Sequence, residues 1–204
     1  MIIGVTGNYC SGKDAVAAIL QGKNFYHVSF SDLLRNELTT RKQKITRDKL
    51  IELGNHLRTK QGASVLSKLA LQEIKDGENH VFTSIRNPSE VEHLTQREDF
   101  ILVNVTAPES VRLKRIIQRN REEDPKTLKE LREKESIENS NDSNSQQLQR
   151  VIDMAKITIV NDSTLEKLTE KVHKLVRDQL YKLQDSRPNW DTYFMNIAEA
   201  VKMR

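Results

Sequence analysis

The opening stretch, MIIGVTGNYCSGKDAVAAIL, constrains the chain more than any other part of it. A short apolar run over residues 1–6 leads into Gly7-x-x-x-x-Gly12-Lys13, and residues with helical spacing follow at once. A strand, a glycine loop and a helix in that order form a phosphate cradle. Glycine reaches the backbone dihedrals that turn successive N–H groups inward onto phosphate oxygens. The helix that follows points its partially positive N-terminus at the same anion, and a lysine closing the loop reaches the outer phosphates of a triphosphate. Gly7, Asn8, Tyr9, Cys10, Ser11, Gly12, Lys13, Asp14 and Ala15 are therefore expected to hold ATP. Asp14 stands where such loops usually carry Ser or Thr, whose hydroxyl ligates Mg²⁺ directly. Its carboxylate either holds the metal through water or caps the helix. Cys10 is either a small filler or a redox-sensitive group in the nucleotide site.

Beyond the loop, apolar runs alternate with helical patterns. Strands are expected at residues 1–6, 25–30, 80–85, 99–107 and 157–160. Helical patterns lie between them, Ser31 or Asp32 being placed to cap the second and Pro108 to open another. Leu165, Leu168, Val172, Leu175 and Val176 fall on one face of a closing amphipathic helix. Strands separated by helices imply a parallel sheet. The fold class is α/β: a five-stranded parallel sheet with helices on both faces and a helical lid. The lid is expected at about residues 119–147, an almost wholly polar stretch that ends Ser/Asn-rich.

Composition excludes several classes. A single cysteine rules out a disulfide within the chain and a multi-cysteine metal site. No run approaches the roughly 20 apolar residues of a membrane span, and the N-terminus opens on a strand pattern without a charged leader. A cytoplasmic protein is expected. The net charge of +4 suits anionic nucleotides, and no basic patch interleaved with aromatics points to nucleic acid.

Phosphoryl transfer needs a carboxylate near the metal and cations for the developing charge. The third strand ends in Thr83 and Ser84, without an acid. Asp32, just after the second strand, is the substitute: it can order a Mg²⁺-bound water or take the acceptor's proton. Arg35, one turn on, and Arg86, directly after the third strand, are candidates to hold the acceptor's phosphate by bidentate hydrogen bonds. Arg115 and Arg119 share a helix face, and with Arg121 they can close over the triphosphate from the lid. Lys13, Asp32, Arg86 and Arg119 are the catalytic candidates, Arg121 joining the acceptor-binding set. Asn161 follows the fifth strand, where it either approaches the adenine base or forms an ordinary strand-to-helix turn.

Residues 1 to about 180 resemble the nucleoside monophosphate kinase-like and dephospho-CoA kinase-like P-loop proteins. The matching pieces are GVTGNYCSGKD, SFSDLLRNEL, SIRNPSEVE, VNVTAPESVRLKRIIQRNREEDP and AKITIVND. Within that group the chain resembles an archaeal-type subgroup whose third strand ends Asp-Gly-Ile-Arg; here the acid is replaced by Thr83 and Arg86 is kept. Some P-loop kinases share the Gly-Lys-Asp of this loop. The resemblance implies transfer of the ATP γ-phosphate, with Mg²⁺, to a nucleotide or similar phosphorylated small molecule. The tail, RPNWDTYFMNIAEAVKMR, resembles the opening of a deoxycytidylate deaminase domain, without that domain's zinc motifs. It implies a kinase-like domain at 1–183 followed by a linker and helix at 184–204, with a linked or associated dCMP deaminase. The alternative function is then a nucleotide-sensing regulatory domain of that deaminase. The tail otherwise forms a terminal helix packed on the domain or on a second copy of the chain.

Overall fold

The first strand, β1 (Ile2–Thr6), is buried along its whole length and runs directly into the glycine loop. A computed structural model describes residues 1–120, 124–140 and 142–185. In chain order the elements are β1, α1 (Lys13–Gln21), β2 (Phe25–Ser29), α2 (Phe30–Thr40), α3 (Arg47–Gln61), α4 (Val65–Gln72), β3 (Asn79–Thr83), α5 (Pro88–Leu94), β4 (Phe100–Thr106), α6 (Glu109–Arg119), α7 (Leu128–Ser136), α8 (Leu148–Asp153), β5 (Ile157–Val160) and α9 (Leu165–Asp185). The strands form one sheet in the order β2-β3-β1-β4-β5, every neighbouring pair parallel. All five lie where the apolar runs place them.

Side chains alternate across a strand, so consecutive residues feed two separate cores. Ile2, Phe82 and Leu102 join Phe30, Leu34, Leu38, Leu66 and Leu94 on the face covered by α2 to α5 and α8. Ile3, Val5, Val81 and Val103 join Val16, Leu20, Val172 and Leu175 on the face covered by α1 and α9. Two-sided burial is what near-continuous apolar strands require.

Two details differ from the sequence expectations. Neither Ser31 nor Asp32 caps α2, because the helix begins at Phe30, two residues before a Ser31 cap would start it; Ser29 is its N-cap and makes no side-chain cap bond. The apolar stripe of α9 begins one turn late: Leu168, Val172 and Leu175 are buried, but Leu165, at the first position of the helix, is exposed. The last described helix, α9, continues to Asp185, two residues past the domain end expected at 183. The rest of the proposed linker and deaminase-like tail, and Arg121, lie outside the described residues. No helix among the described residues is long and apolar enough to cross a membrane.

Candidate functional site

The loop after β1 emerges between β3 and β4, where connections from the sheet leave in opposite directions. Ligands of open α/β sheets bind at that crevice. Two glycines make the loop possible. Gly7 has φ +140°, and a Cβ there would meet the Val105 carbonyl at 2.1 Å. Gly12 has φ +105°, and a Cβ would meet the Asn161 side chain at 2.0 Å. That close approach is used: Asn161 Nδ2 donates to the Ser11 carbonyl at 2.8 Å. Arg115 Nη2 donates to the Asn161 carbonyl at 3.0 Å and to its Oδ1 at 3.3 Å, and Arg115 Nη1 reaches the Ser11 carbonyl at 3.4 Å. Asn161 and Arg115 thus pin the loop to the end of β5.

Lys13 is the first residue of α1. Its Nζ donates to the carbonyls of Gly7 and Asn8, each at 2.7 Å. Burial, reinforced by the nearby Arg86 charge and opposed by Glu138, lowers its pKa to about 8.

A cavity of about 770 Å³ opens at the carboxyl edge of the sheet. Tyr9, Cys10, Gly12, Lys13, Asp14, Asp32, Arg35, Arg86, Arg115 and Arg119 all line it. The sequence thus pointed to a set of side chains that the fold does bring together. Gly7, Asn8, Ser11, Ala15 and Asn161 lie outside its lining. Asp32 and Arg35 pair with each other at 2.5 Å on an exposed face of α2. At the end of β3, where a strand-end acid is missing, Thr83 Oγ1 and His27 Nε2 are 2.8 Å apart, and Ser84 Oγ lies 3.3 Å from Ser31 Oγ. No cluster of three or more His, Cys, Asp or Glu able to hold a metal occurs among the described residues. Asp14 and Asp32, the two carboxylates expected near a metal, both line the cavity, Asp32 being paired with Arg35. A smaller cavity, about 320 Å³, lies at the opposite edge of the sheet beside Met1, His80 and Asp99, and holds none of the candidate residues.

The lid contributes more than the arginines expected of it. Arg119 Nε and Nη2 donate to Asp124 at 2.8 Å, and Nη2 also donates to the Tyr9 hydroxyl at 2.6 Å. That hydroxyl donates in turn to Asp124 at 2.7 Å. Burial and the bond to Asp124 push the Tyr9 pKa up. The Tyr9 ring carries the Arg119 guanidinium at 5.1 Å, Lys134 Nζ at 5.5 Å and Arg47 at 5.6 Å. Glu135 accepts from the Tyr9 amide at 3.2 Å and pairs with buried Arg112, whose Nη1 donates to the Tyr9 carbonyl at 3.1 Å.

Two groups went unseen in the sequence. Glu138, just beyond α7, is 2% exposed, and its carboxylate bridges Arg47 and Arg86, the latter at 2.5 Å. Although burial works the other way, Arg86, Arg47 and Lys13 hold its pKa below the usual carboxylate range. Arg47 is the first residue of α3, capped by Thr46. That Thr-Arg-Asp opening marks a helix start but not its approach to the cavity.

A family model described as an AAA domain matches residues 3–140. A UPF0200 protein from Sulfurisphaera tokodaii is 28% identical over 178 residues, 86% of this chain and 96% of its own. Among solved structures, TT1252 from Thermus thermophilus superposes with a TM-score of 0.58 at 20% identity, over 88% of this chain and 97% of that one. A gluconokinase from Sinorhizobium meliloti superposes at 0.54 and 16% identity, over 91% and 97%. The fold is that of the P-loop kinase-like proteins.

Proposed function

This chain belongs to the AAA domain family, and from that premise we propose that it transfers the γ-phosphoryl group of ATP to a nucleotide or a similar phosphorylated small molecule. One observation carries the reading. A single cavity gathers the loop lysine, Lys13, with Arg86, Arg35, Arg119 and Asp32, all at the carboxyl edge of a parallel sheet. Phosphoryl transfer asks for little besides positioning and charge stabilisation.

In this reading the loop from Gly7 to Ala15 receives the triphosphate, and Asn161 and Arg115 keep it in register. Lys13 leaves the Gly7 and Asn8 carbonyls for phosphate oxygens. Arg119, held beside Tyr9, faces the transferred group. Arg86 and Arg35 orient the acceptor, and Arg121 adds a cation to its binding. Mg²⁺ would sit among phosphate oxygens, with Asp14 and Asp32 ordering its water, and would neutralise developing charge. An acceptor that attacks through a phosphate oxygen needs no general base, which suits a strand end carrying Thr83 rather than an acid. The proposed domain spans 1–183. A cytoplasmic setting fits the chemistry.

Incubation with ATP, Mg²⁺ and a panel of nucleoside monophosphates and dephospho-CoA tests the reading. ADP is expected with at least one acceptor. Lys13→Ala should lower the rate about 10²–10³-fold, the loss typical of removing one preorganised donor to transition-state charge. Nucleotide binding without ADP above background, with no change on Lys13→Ala, would remove transfer from consideration.

A further inference from the structure

Glu138 is a buried carboxylate with too many cations around it. Arg47 and Arg86 both pair with it, and the ammonium of Lys13 is close enough to influence it. Three positive charges converge on one negative charge, at the wall of the cavity. Arg47 and Arg86 are only partly covered, their side chains 36% and 27% exposed. Each guanidinium has five N–H donors in a planar fork; Glu138 does not occupy them all, although Arg86 Nη1 also donates to Gln146 Oε1 at 3.3 Å.

The segment that delivers Glu138 is tied to the loop that delivers Arg86. Gln147 N donates to the Arg86 carbonyl at 2.8 Å, and Asn87 Nδ2 donates to the carbonyls of Ser143 and Ser145 at 2.6 and 2.9 Å. These bonds tie the Glu138 segment to the loop that carries Arg86 through backbone and Asn87 contacts, not through the Glu138 carboxylate. A phosphate monoester and a carboxylate cannot share the same two guanidiniums without strong repulsion. Of the two, the phosphate carries more charge and more acceptor oxygens.

We propose that Arg47 and Arg86 are the receiving pair for the acceptor's phosphate monoester group, and that Glu138 is the internal anion this group displaces. The proposal rests on the transfer reading for the word acceptor alone; the anion site itself stands on the geometry. Arg47 becomes an acceptor-binding residue, and acceptor binding releases Glu138 from Arg47 and Arg86.

The test uses the full 204-residue chain, without ATP, titrated with inorganic phosphate in a calorimeter. Glu138→Gln keeps the side-chain volume and removes the competing charge, so phosphate should bind about tenfold more tightly. Arg47→Ala should abolish that gain, and the gain should persist in a Lys13→Ala background, which separates this pair from the phosphate loop. Hydrogen exchange on the unmutated chain gives a readout independent of any variant's folding: the Leu148 amide donates to the Glu138 carbonyl and the Asn139 amide to that of Ser136, so releasing the Glu138 carboxylate should loosen this turn and phosphate should speed exchange at both amides. An unchanged or weaker affinity in Glu138→Gln, a gain that survives Arg47→Ala, or exchange indifferent to phosphate would each show that Glu138 is a fixed structural partner. None of these readouts records ADP, so failure of transfer and failure of the receiving pair are told apart.

Discussion

Among the described residues, Glu90 and Glu138 are both almost completely buried against arginine, and their surroundings differ. Glu90 is 0% exposed. One of its oxygens takes Arg58 Nε at 3.0 Å and Nη2 at 2.8 Å, and the other takes the backbone N–H groups of Arg86 and Asn87 at 3.0 and 3.1 Å. Arg58 is itself only 3% exposed. Glu138 is buried just as deeply, yet its ion-pair partners are side chains 36% and 27% exposed. Glu90 belongs to the capping box of α5, so its donors cannot leave without unwinding a helix start. The side chains that hold Glu138 are partly exposed and belong to no such cap. Burial alone does not say whether an ion pair is architecture or site; the identity and freedom of the donors do.

The largest expected effect tests that distinction directly. Glu90→Gln strips charge from a pair with no solvent to turn to, leaving Arg58 buried and uncompensated. It should cost about 3–5 kcal/mol, a fall in Tm of about 10 °C for a chain of this length. Glu138→Gln leaves two arginines that solvent can reach and should cost about 1 kcal/mol or less. Paired thermal melts decide the matter, and equal losses would erase the contrast.

A smaller effect sharpens it through Lys13. Burial sets the ammonium pKa at about 8, against an ordinary 10.5, with Glu138 among the charges holding it up. Between those two values the unfolded chain binds more protons than the folded one, so this lysine's contribution to stability rises with pH across that window. A bound polyphosphate restores the charged form, so ATP binding at pH 8 should take up about half a proton. Calorimetry in buffers of different ionisation enthalpy measures the uptake. Glu138→Gln removes a supporting charge, lowers the Lys13 pKa further and should increase the uptake, whereas Glu90→Gln should leave it alone. An uptake indifferent to Glu138 would mean that this carboxylate does not communicate with the phosphate loop.

The same contrast explains what could be read from the sequence. The sheet, the helices on both its faces and the phosphate loop were legible because period-2 and period-3.6 patterns and glycine spacing are local signals. Arg86 was legible because the end of a parallel strand points to the crevice, whatever the rest of the chain does. Glu138 was not. It sits in a polar stretch without periodicity, and its place depends on bonds such as Asn87 to Ser143 that join residues 56 apart. Arg47 failed for the same reason, since a capped helix start says nothing about where the helix lies. Asn161 was half legible: its position after β5 was clear, but its bond to Ser11 spans 150 residues. The missing acid after β3 drew attention to Asp32, while the deeply buried carboxylate beside the site came from the segment least patterned in the chain.

The smallest effect concerns Tyr9, which belongs to neither class cleanly. Its hydroxyl sits between Arg119 and Asp124, a bond pattern as closed as that of Glu90, but its ring lies among three cations at the edge of the cavity. Tyr9→Phe removes the hydroxyl and keeps the ring. Arg119 retains two bonds to Asp124, so the loss should be about 1 kcal/mol or less, seen as a severalfold rise in KM for ATP with kcat nearly unchanged. Tyr9→Leu also removes the cation–π contacts and should raise KM further, by another factor of about 2–5 at a partly exposed site. If Phe proves as damaging as Leu, the hydroxyl clasp is what fastens the lid to the phosphate loop, and Tyr9 belongs with Glu90. If Leu is clearly the worse, the ring is the seat on which the lid cations rest, and Tyr9 belongs with Glu138 among the groups that a ligand can rearrange.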